Sequence, residues 1–327
     1  MTITATRPAP WHYAAPWGVR SYVTDLDGPV HWIEFNAEAH DPGAREKDGE
    51  TQGPPIVLVH GLGGSHLNWC LIGPQLAAGR RAVALDLRGF GLTPGLRVNS
   101  TVRANARLLD RFITEVVGEP VILVGNSMGG LISILETNGS PDLIKGAALL
   151  DPALPLPPQK PDWQVSGQFL LYALPGLGVL AVAKLMASVS PEAGVDQLVK
   201  LCFADPSRVD PEMIRAEVAL ATKRRPATSA QATARARVFL AAARSLLRVL
   251  ARRGSYQKLM AGIDVPVLLI GGEDDRLVPV AAMRQAATRN PRWESVFLPA
   301  VGHTPMLEVP DDTIAIIRDW LDRHFKN

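Results

Sequence analysis

The chain has 327 residues, with 34 Lys and Arg against 32 Asp and Glu, so its formal net charge at pH 7 is only +2. Apolar residues make up 47% of the sequence, which excludes disorder over most of the chain, and the small net charge argues against a nucleic-acid-binding protein. The cysteines, Cys70 and Cys202, are too few for a disulfide framework and form no zinc motif. We expect them to be small apolar residues in a reducing compartment.

Two segments bear on where the protein works. Met1 to Pro16 contains one arginine and three prolines but no apolar run, so it lacks the pattern of a secretory signal. Phe169 to Val189 approaches the length of a membrane span, but one proline and two glycines interrupt it. We therefore expect a cytoplasmic protein in which this stretch forms a buried or lipid-touching helical hairpin.

The first half of the chain alternates short apolar strands with helices. It begins with a hairpin that turns at Asp27-Gly28, a frequent hairpin signal. The further predicted elements, in chain order, are a strand over Ile56–Val59, a helix over Leu67–Ala77, a strand over Arg81–Asp86, a helix over Ser100–Val117, a strand over Val121–Val124, a helix over Met128–Thr137 and a strand over Ile144–Leu150. This alternation predicts βαβ units and a mostly parallel sheet covered by helices on both faces.

A long helical segment separates this alternation from its return at the end of the chain. Residues 156–254 are rich in Ala, Leu and Arg, show no strand pattern, and carry 14 Lys and Arg against 7 Asp and Glu. We predict a helical cap over 156–254, inserted into a core of residues 1–155 and 255–327. The basic excess is typical of a solvated helix face, or of a surface that meets anionic lipid or an acidic substrate. The closing elements are a strand over Val265–Ile270, a helix over Val280–Thr288, a strand over Trp293–Leu298 and a helix over Thr313–Phe325.

The strongest chemical signal is Gly125-Asn126-Ser127-Met128-Gly129, a G-x-S-x-G motif between a buried strand and a helix. The chain reverses so sharply there that the neighbouring positions must be glycine. The serine hydroxyl is consequently exposed at the tip of the turn, beside the unpaired N–H groups of a helix N-terminus. We interpret Ser127 as a nucleophile.

A serine needs a base to take its proton, and the base needs an acid to orient it. His303 lies in the loop after the last predicted strand, at the edge of the sheet where sites form in α/β folds. Acidic residues follow two other predicted strands and reach the same edge. The candidates for the orienting acid are Glu273, Asp274, Asp275 and Asp151.

The glycine-rich loop His60-Gly61-Leu62-Gly63-Gly64 directly follows the strand over Ile56–Val59. Such a loop lets a backbone N–H point at a substrate oxygen, and no Gly-Lys-Ser/Thr follows that would make it a phosphate-binding loop. We assign the Leu62 N–H and the Met128 N–H as oxyanion-hole donors.

These motifs, together with Asp86 to Gly91, occur in the order and rough spacing of the α/β-hydrolase superfamily, and the chain most resembles its capped esterase, lipase and haloperoxidase-like branch. The resemblance implies an α/β-hydrolase fold with a helical cap. It implies Ser127 as nucleophile and His303 as base, and it favours Asp275 as acid. It implies no metal and no organic cofactor, and it gives Asp86 and His60 structural roles.

The residue types narrow the reaction. Epoxide hydrolases and haloalkane dehalogenases of this superfamily use an aspartate where this chain has Ser127. A serine, a histidine and an acid with two oxyanion donors fit hydrolysis of a carboxylic ester through an acyl-enzyme. Thioester or amide cleavage, C–C bond hydrolysis and acyl transfer use the same groups. The remaining alternative is a ligand-binding protein on a hydrolase fold.

The predicted cap is unusually apolar, which favours a small-molecule substrate that is a hydrophobic ester rather than a small polar one. Its apolar stretch is typical of cap core, of an acyl-chain pocket, or of a lid that touches lipid at the membrane surface. The candidate substrate contacts are Gly61, Trp69, Leu174 and Leu177.

Overall fold

The computed structural model describes residues 6–35, 53–155 and 176–326. Within them, nine strands form one sheet. These strands are β1 (Thr6–Pro8), β2 (Val19–Asp25), β3 (Pro29–Phe35), β4 (Ile56–Val59), β5 (Ala82–Leu85), β6 (Val121–Asn126), β7 (Ile144–Leu150), β8 (Val267–Gly272) and β9 (Glu294–Leu298). Their spatial order is β1-β2-β3-β5-β4-β6-β7-β8-β9. The pairs β1–β2, β2–β3 and β3–β5 are antiparallel, and the other five pairs are parallel. This pairing confirms the predicted hairpin and the mostly parallel sheet.

The helices connect the strands and cover both faces of the sheet. Those of the described residues are α1 (Gly73–Leu76), α2 (Val102–Phe112), α3 (Met128–Gly139), α4 (Leu177–Ser188), α5 (Pro191–Cys202), α6 (Pro211–Arg224), α7 (Ser229–Ala251), α8 (Arg253–Ala261), α9 (Val280–Arg289), α10 (Pro305–Glu308) and α11 (Pro310–Phe325). A π-helical turn, Ile113–Val117, extends α2. Helices α2 and α3 cover one face of the sheet, and α11 packs on the other.

The alternation of side chains along the central strands builds two apolar cores. In β4, Val57 and Val59 belong to the core beneath α2 and α3, whereas Ile56 and Leu58 belong to the core beneath α11. All four side chains are fully buried, because the strand has a helix layer on each side. The fully apolar run in the sequence thus marks the centre of the sheet.

The region after β4 differs from the helix predicted over Leu67–Ala77. It forms a 3-10 turn, His66–Trp69, and then only the four residues of α1. A Cβ on Gly73 would lie 2.3 Å from the Phe35 ring, and the proline that follows lacks an N–H for helix bonding. The chain therefore passes close to β3 at a point where a longer helix cannot form.

Helices α4 to α7, which we call the inserted helices, lie between β7 and β8 in the chain. Helix α4 packs along α7 and α5 packs along α6. A small third apolar cluster joins α4 to α7 through Val182, Ala183, Ala236 and Leu240. In the described part of the chain, no single helix is both long and apolar enough to cross a membrane. The pair α4 and α5 would pass on length and composition together, but it is bent by 117°.

Candidate active site

Ser127 occupies a strained turn between β6 and α3. Its backbone has φ +53° and ψ −118°, a conformation that side-chain-bearing residues rarely adopt. A Cβ on Gly129 would lie 1.9 Å from the Val59 carbonyl oxygen, so only glycine fits at that position. The Ser127 N–H donates to the Leu150 carbonyl (3.1 Å), and its own carbonyl accepts from the Ala153 N–H (2.9 Å). Backbone contacts on both sides therefore hold the serine at the carboxyl edge of the sheet.

His303 and Asp275 form a buried pair at the same edge. The His303 Nδ1–H donates to Asp275 Oδ2 over 2.7 Å, and Asp275 Oδ1 accepts from the N–H groups of Leu277 (2.7 Å) and Val278 (3.0 Å). Both side chains are buried. The acid is thus fixed by backbone donors, and it holds the imidazole with Nδ1 protonated and Nε2 available as a base.

The backbone of His303 is tied to two other parts of the site. Its carbonyl accepts from the Asn126 side-chain amide (3.0 Å), and that amide also donates to the Leu150 carbonyl (3.1 Å). The His303 N–H donates to the Cys202 carbonyl at the end of α5 over 2.6 Å. The loop that carries the base is therefore bonded both to the turn that carries the serine and to an inserted helix.

Asp151 is a second buried carboxyl beside this pair. The ligand atoms of Asp151, Asp275 and His303 lie within 4.8 Å of one another. Asp151 Oδ1 accepts from the Gly272 N–H (2.9 Å), but Oδ2 has no hydrogen-bond partner in the described residues. Burial and, after it, the Asp275 carboxylate raise the pKa of Asp151 well above its usual range.

The four acids named from the sequence are thereby separated by position. Asp275 contacts His303, Asp151 lies behind the pair, Asp274 is exposed, and Glu273 forms an ion pair with Arg284. The distinction between neighbouring acids in one loop comes from backbone geometry, which spacing alone does not specify.

The glycine-rich loop after β4 lies against the serine. A Cβ on Gly61 would lie 3.1 Å from Ser127 Cβ. Met128 is the first residue of α3, so its N–H has no partner within the helix, and the described residues contain no backbone acceptor for the Leu62 N–H. Both N–H groups are therefore free to donate to a substrate oxygen near Ser127.

His60 bridges two loops rather than facing the serine. Its Nδ1–H donates to the Gly61 carbonyl (2.8 Å) and its Nε2 accepts from the Leu87 N–H (3.0 Å). Burial lowers the pKa of His60 to about 4, so the ring stays neutral and keeps both bonds at physiological pH. This is a structural role.

Asp86 is a buried hub at the end of β5. It accepts from the His31 ring (2.7 Å), from the His66 N–H (2.7 Å) and from the Leu92 N–H (2.7 Å). Burial opposes its ionisation, but His66 and His31 hold the pKa of Asp86 well below its usual range. The side chains of His31, His66 and Asp86 are close enough to hold a metal ion, as are those around His303. In the first group both histidines bond to Asp86, and in the second His303 bonds to Asp275.

A cavity of about 400 Å³ opens over Ser127 and His303. Its lining is mostly apolar and comes from the sheet edge and from α5, α6 and α7. The apolar lining residues from these helices are Val195, Leu198, Val199, Leu201, Cys202, Met213, Ile214, Phe239, Leu246, Leu247 and Leu250. A shape of this kind fits the apolar part of a small molecule.

The candidate substrate contacts named from the sequence fall in different places. Gly61 lines the cavity, whereas Trp69 is fully buried in the core beneath α11 and does not line it. Leu177 begins α4, is 66% exposed and is not a lining residue, and Leu174 lies outside the described residues. The lining residues of α6 and α7 were missed, although Met213, Ile214 and Glu217 have the spacing of one helix face.

Comparison with known proteins gives one family. The profile described as "Alpha/beta hydrolase family" matches residues 56–316. The 2-hydroxy-6-oxo-6-(2'-aminophenyl)hexa-2,4-dienoic acid hydrolase of Metapseudomonas resinovorans is 27% identical over 283 residues, 83% of this chain and 85% of that protein. The pimeloyl-[acyl-carrier protein] methyl ester esterase of Aeromonas hydrophila is 26% identical over 274 residues, 83% of this chain and 96% of that protein. The crystal structure of a putative lipase from Acinetobacter baumannii matches with a TM-score of 0.72 and 21% identity, over 95% of this chain and 94% of that one.

Proposed function

The chain belongs to the alpha/beta hydrolase family, and on that basis we propose that it is a serine hydrolase that cleaves carboxylic esters with a hydrophobic acyl or alcohol part. The observation that carries this proposal is the shared cavity. Ser127 and His303 both line it, Asp275 bonds to the histidine, and the walls are mostly apolar. The inserted helices act as a cap that supplies those walls.

The geometry supports an acyl-enzyme mechanism. Ser127 Oγ attacks the ester carbonyl while His303 Nε2 takes its proton, and Asp275 stabilises the resulting imidazolium. The N–H groups of Leu62 and Met128 donate to the oxygen that becomes negative in the tetrahedral intermediate. The imidazolium then protonates the leaving alcohol, and a water molecule, deprotonated by His303, releases the acid from Ser127.

C–C bond hydrolysis is a second candidate, because one relative is a hydrolase of a dienoic acid. Such a substrate carries a carboxylate, and a site for it would offer a cation. The described lining contains no Lys or Arg but does contain Asp210 and Glu217. This charge pattern favours a neutral or cationic substrate, and hence an ester.

We also propose weak contact between the inserted helices and anionic lipid. Leu177, Leu180 and Leu185 are exposed on α4, at 66%, 65% and 51%. Residues 156–254 carry twice as many Lys and Arg as Asp and Glu. Exposed leucines on a segment with a basic excess are typical of peripheral membrane binding.

The test of the catalytic proposal is labelling by a fluorophosphonate, followed by rates on p-nitrophenyl esters of increasing acyl length. An activated serine reacts with the fluorophosphonate, and the Ser127→Ala variant should not be labelled. A chain that resists labelling would be a ligand-binding member of the family rather than an enzyme. A labelled chain that cleaves a 2-hydroxy-6-oxo-dienoic acid but no ester would belong with the C–C hydrolases.

A further inference from the structure

Glu217 lies on the side of α6 that faces the cavity, where the neighbouring residues are apolar. Met213 and Ile214, four and three residues earlier, line the same cavity. Residues at these spacings share one face of a helix, so an apolar residue is expected at position 217. A carboxylic acid in that place needs an explanation from its surroundings.

The carboxyl group of Glu217 has neither a hydrogen-bond nor an ion-pair partner among the residues that the structure describes. The nearest cation on its own helix, Arg224, donates to the Gly89 carbonyl instead (3.1 Å). Asp275, by contrast, accepts three hydrogen bonds. Glu217 is half-buried, and a carboxyl without a protein partner that faces an apolar cavity is a group that a ligand can satisfy.

The surroundings also set the charge of this group. The ionisable side chains that face Glu217 are His66 and Cys70, Asp86 after β5, and Arg224 on its own helix. Burial is the largest effect and raises the pKa of Glu217 to about 7. The carboxyl is consequently neutral below about pH 7 and negative above it.

Asn68 adds a second polar group to this end of the cavity. It lies on the turn His66–Trp69, against which α6 packs, and it lines the same cavity as Glu217. Its side-chain oxygen accepts from the Ser65 N–H (2.8 Å), while its amide nitrogen makes no hydrogen bond in the described residues. The mostly apolar cavity is thus lined by a carboxyl and a free amide nitrogen from two elements that pack against each other.

We propose that Glu217, assisted by Asn68, recognises a hydrogen-bond donor, a hydroxyl or an ammonium group, on an otherwise apolar ester. The inference rests on the proposed function, because the cavity is the one that Ser127 lines. The apolar walls would take the hydrocarbon part, and the polar group would reach the carboxyl end. The natural substrate is therefore an amphipathic ester rather than a simple alkyl ester.

The test compares p-nitrophenyl esters of unsubstituted, ω-hydroxy and ω-amino acyl chains from four to ten carbons. At the chain length that reaches Glu217, the wild type should favour the hydroxy ester in kcat/KM. Glu217→Leu should lower the hydroxy-to-unsubstituted ratio by about 10- to 100-fold, the effect of one hydrogen bond to a charged group. Glu217→Gln should keep part of the hydroxyl preference but lose the ammonium preference.

The pH profile distinguishes recognition from a merely structural role. In the wild type, the preference for the amino ester should rise as the pH passes through about 7, because the carboxyl becomes negative there. Glu217→Gln should show no such rise. Glu212→Gln, on an outward-facing position of the same helix, is the matched control and should match the wild type. If the hydroxy-to-unsubstituted ratio of kcat/KM in Glu217→Leu equals that of the wild type at every chain length, the inference is overturned.

A binding measurement separates this inference from the proposed function. In Ser127→Ala, 6-aminohexanol and 1,6-hexanediol should raise the Tm more than 1-hexanol does, and this difference should vanish when Glu217→Leu is added. That comparison needs no hydrolysis. If the wild type has no esterase activity but the Tm difference is still observed, the proposed reaction is overturned and the role of Glu217 is kept. Equal Tm shifts for the three compounds would overturn that role.

Discussion

The two sides of the cavity are built in different ways. On the sheet side, backbone hydrogen bonds hold the proposed catalytic groups, and a close backbone contact admits only glycine beside Ser127, at Gly129. On the other side, α6 and α7 present side chains, almost all of them apolar. The first side fixes the positions of the proposed catalytic groups. The second specifies a volume and a polarity, which is how one fold accepts many substrates.

The largest effect that this comparison predicts is at the sheet side. Ser127→Ala and His303→Ala should each lower kcat for ester hydrolysis by roughly 10⁴- to 10⁶-fold, because triad members act as a unit. The double variant should have a kcat only slightly lower than that of either single variant. Thermal unfolding should change little in Ser127→Ala, since its hydroxyl is not part of the core. More than about a tenth of the wild-type activity in Ser127→Ala would disprove the assignment.

The acid gives a sharper version of the same test. Asp275→Asn should lower kcat by about 10⁴-fold, because the amide presents an N–H to His303 and favours the wrong tautomer. Asp151→Asn should cost less than about tenfold in kcat, since His303 bonds to Asp275 and not to Asp151, and an amide oxygen at position 151 can still accept from the Gly272 N–H. Asp274→Asn, an exposed neighbour, serves as the control. If Asp151→Asn were the crippling change, the acid that orients His303 would come from β7 rather than β8.

The helical side should show graded effects. A buried CH₂ group contributes about 0.8 kcal/mol, so kcat/KM should rise several-fold per two acyl carbons until the cavity is full. Leu247→Asp, which puts a charge on the cavity wall, should flatten this rise and hurt the longer esters selectively. Leu177→Asp is the matched control, because that residue is exposed on α4. A profile that peaks at acetate would mean that the apolar walls are ordinary core.

The smallest expected effect concerns the outer face of the inserted helices. Vesicles that contain anionic lipid should retain more protein at low salt than at high salt, since screening weakens surface charge interactions. Leu180→Asp should be retained less than the wild type on the same vesicles, and its rates on soluble esters should be unchanged. Retention that is independent of salt would assign the contact to the leucines alone, and the absence of retention would remove the lipid proposal.

The sequence predicted the sheet side far better than the helical side. Strands buried on both faces must be continuously apolar, and the turn at Ser127 requires glycines, so both leave local patterns. The cavity lining has no such pattern, because whether a leucine on α4 or on α7 faces the cavity depends on how the helices pack. Trp69 and Leu177 were reasonable substrate contacts by sequence position and lie elsewhere. Glu217 was visible as an acid on an apolar helix face, but only the packing of α6 gave that face a meaning.

The bond from the His303 N–H to the Cys202 carbonyl restricts how the cavity can open. Glu308, fully buried in α10, reinforces it by accepting from the N–H groups of Gly302, Ala204 and Asp205. These amides should exchange with solvent together, as one cooperative unit, and more slowly than those of α4. An opening that broke this unit would displace the base at the same moment. An entrance that leaves the bonds among α5, Glu308 and the His303 loop intact would admit substrate without displacing the base.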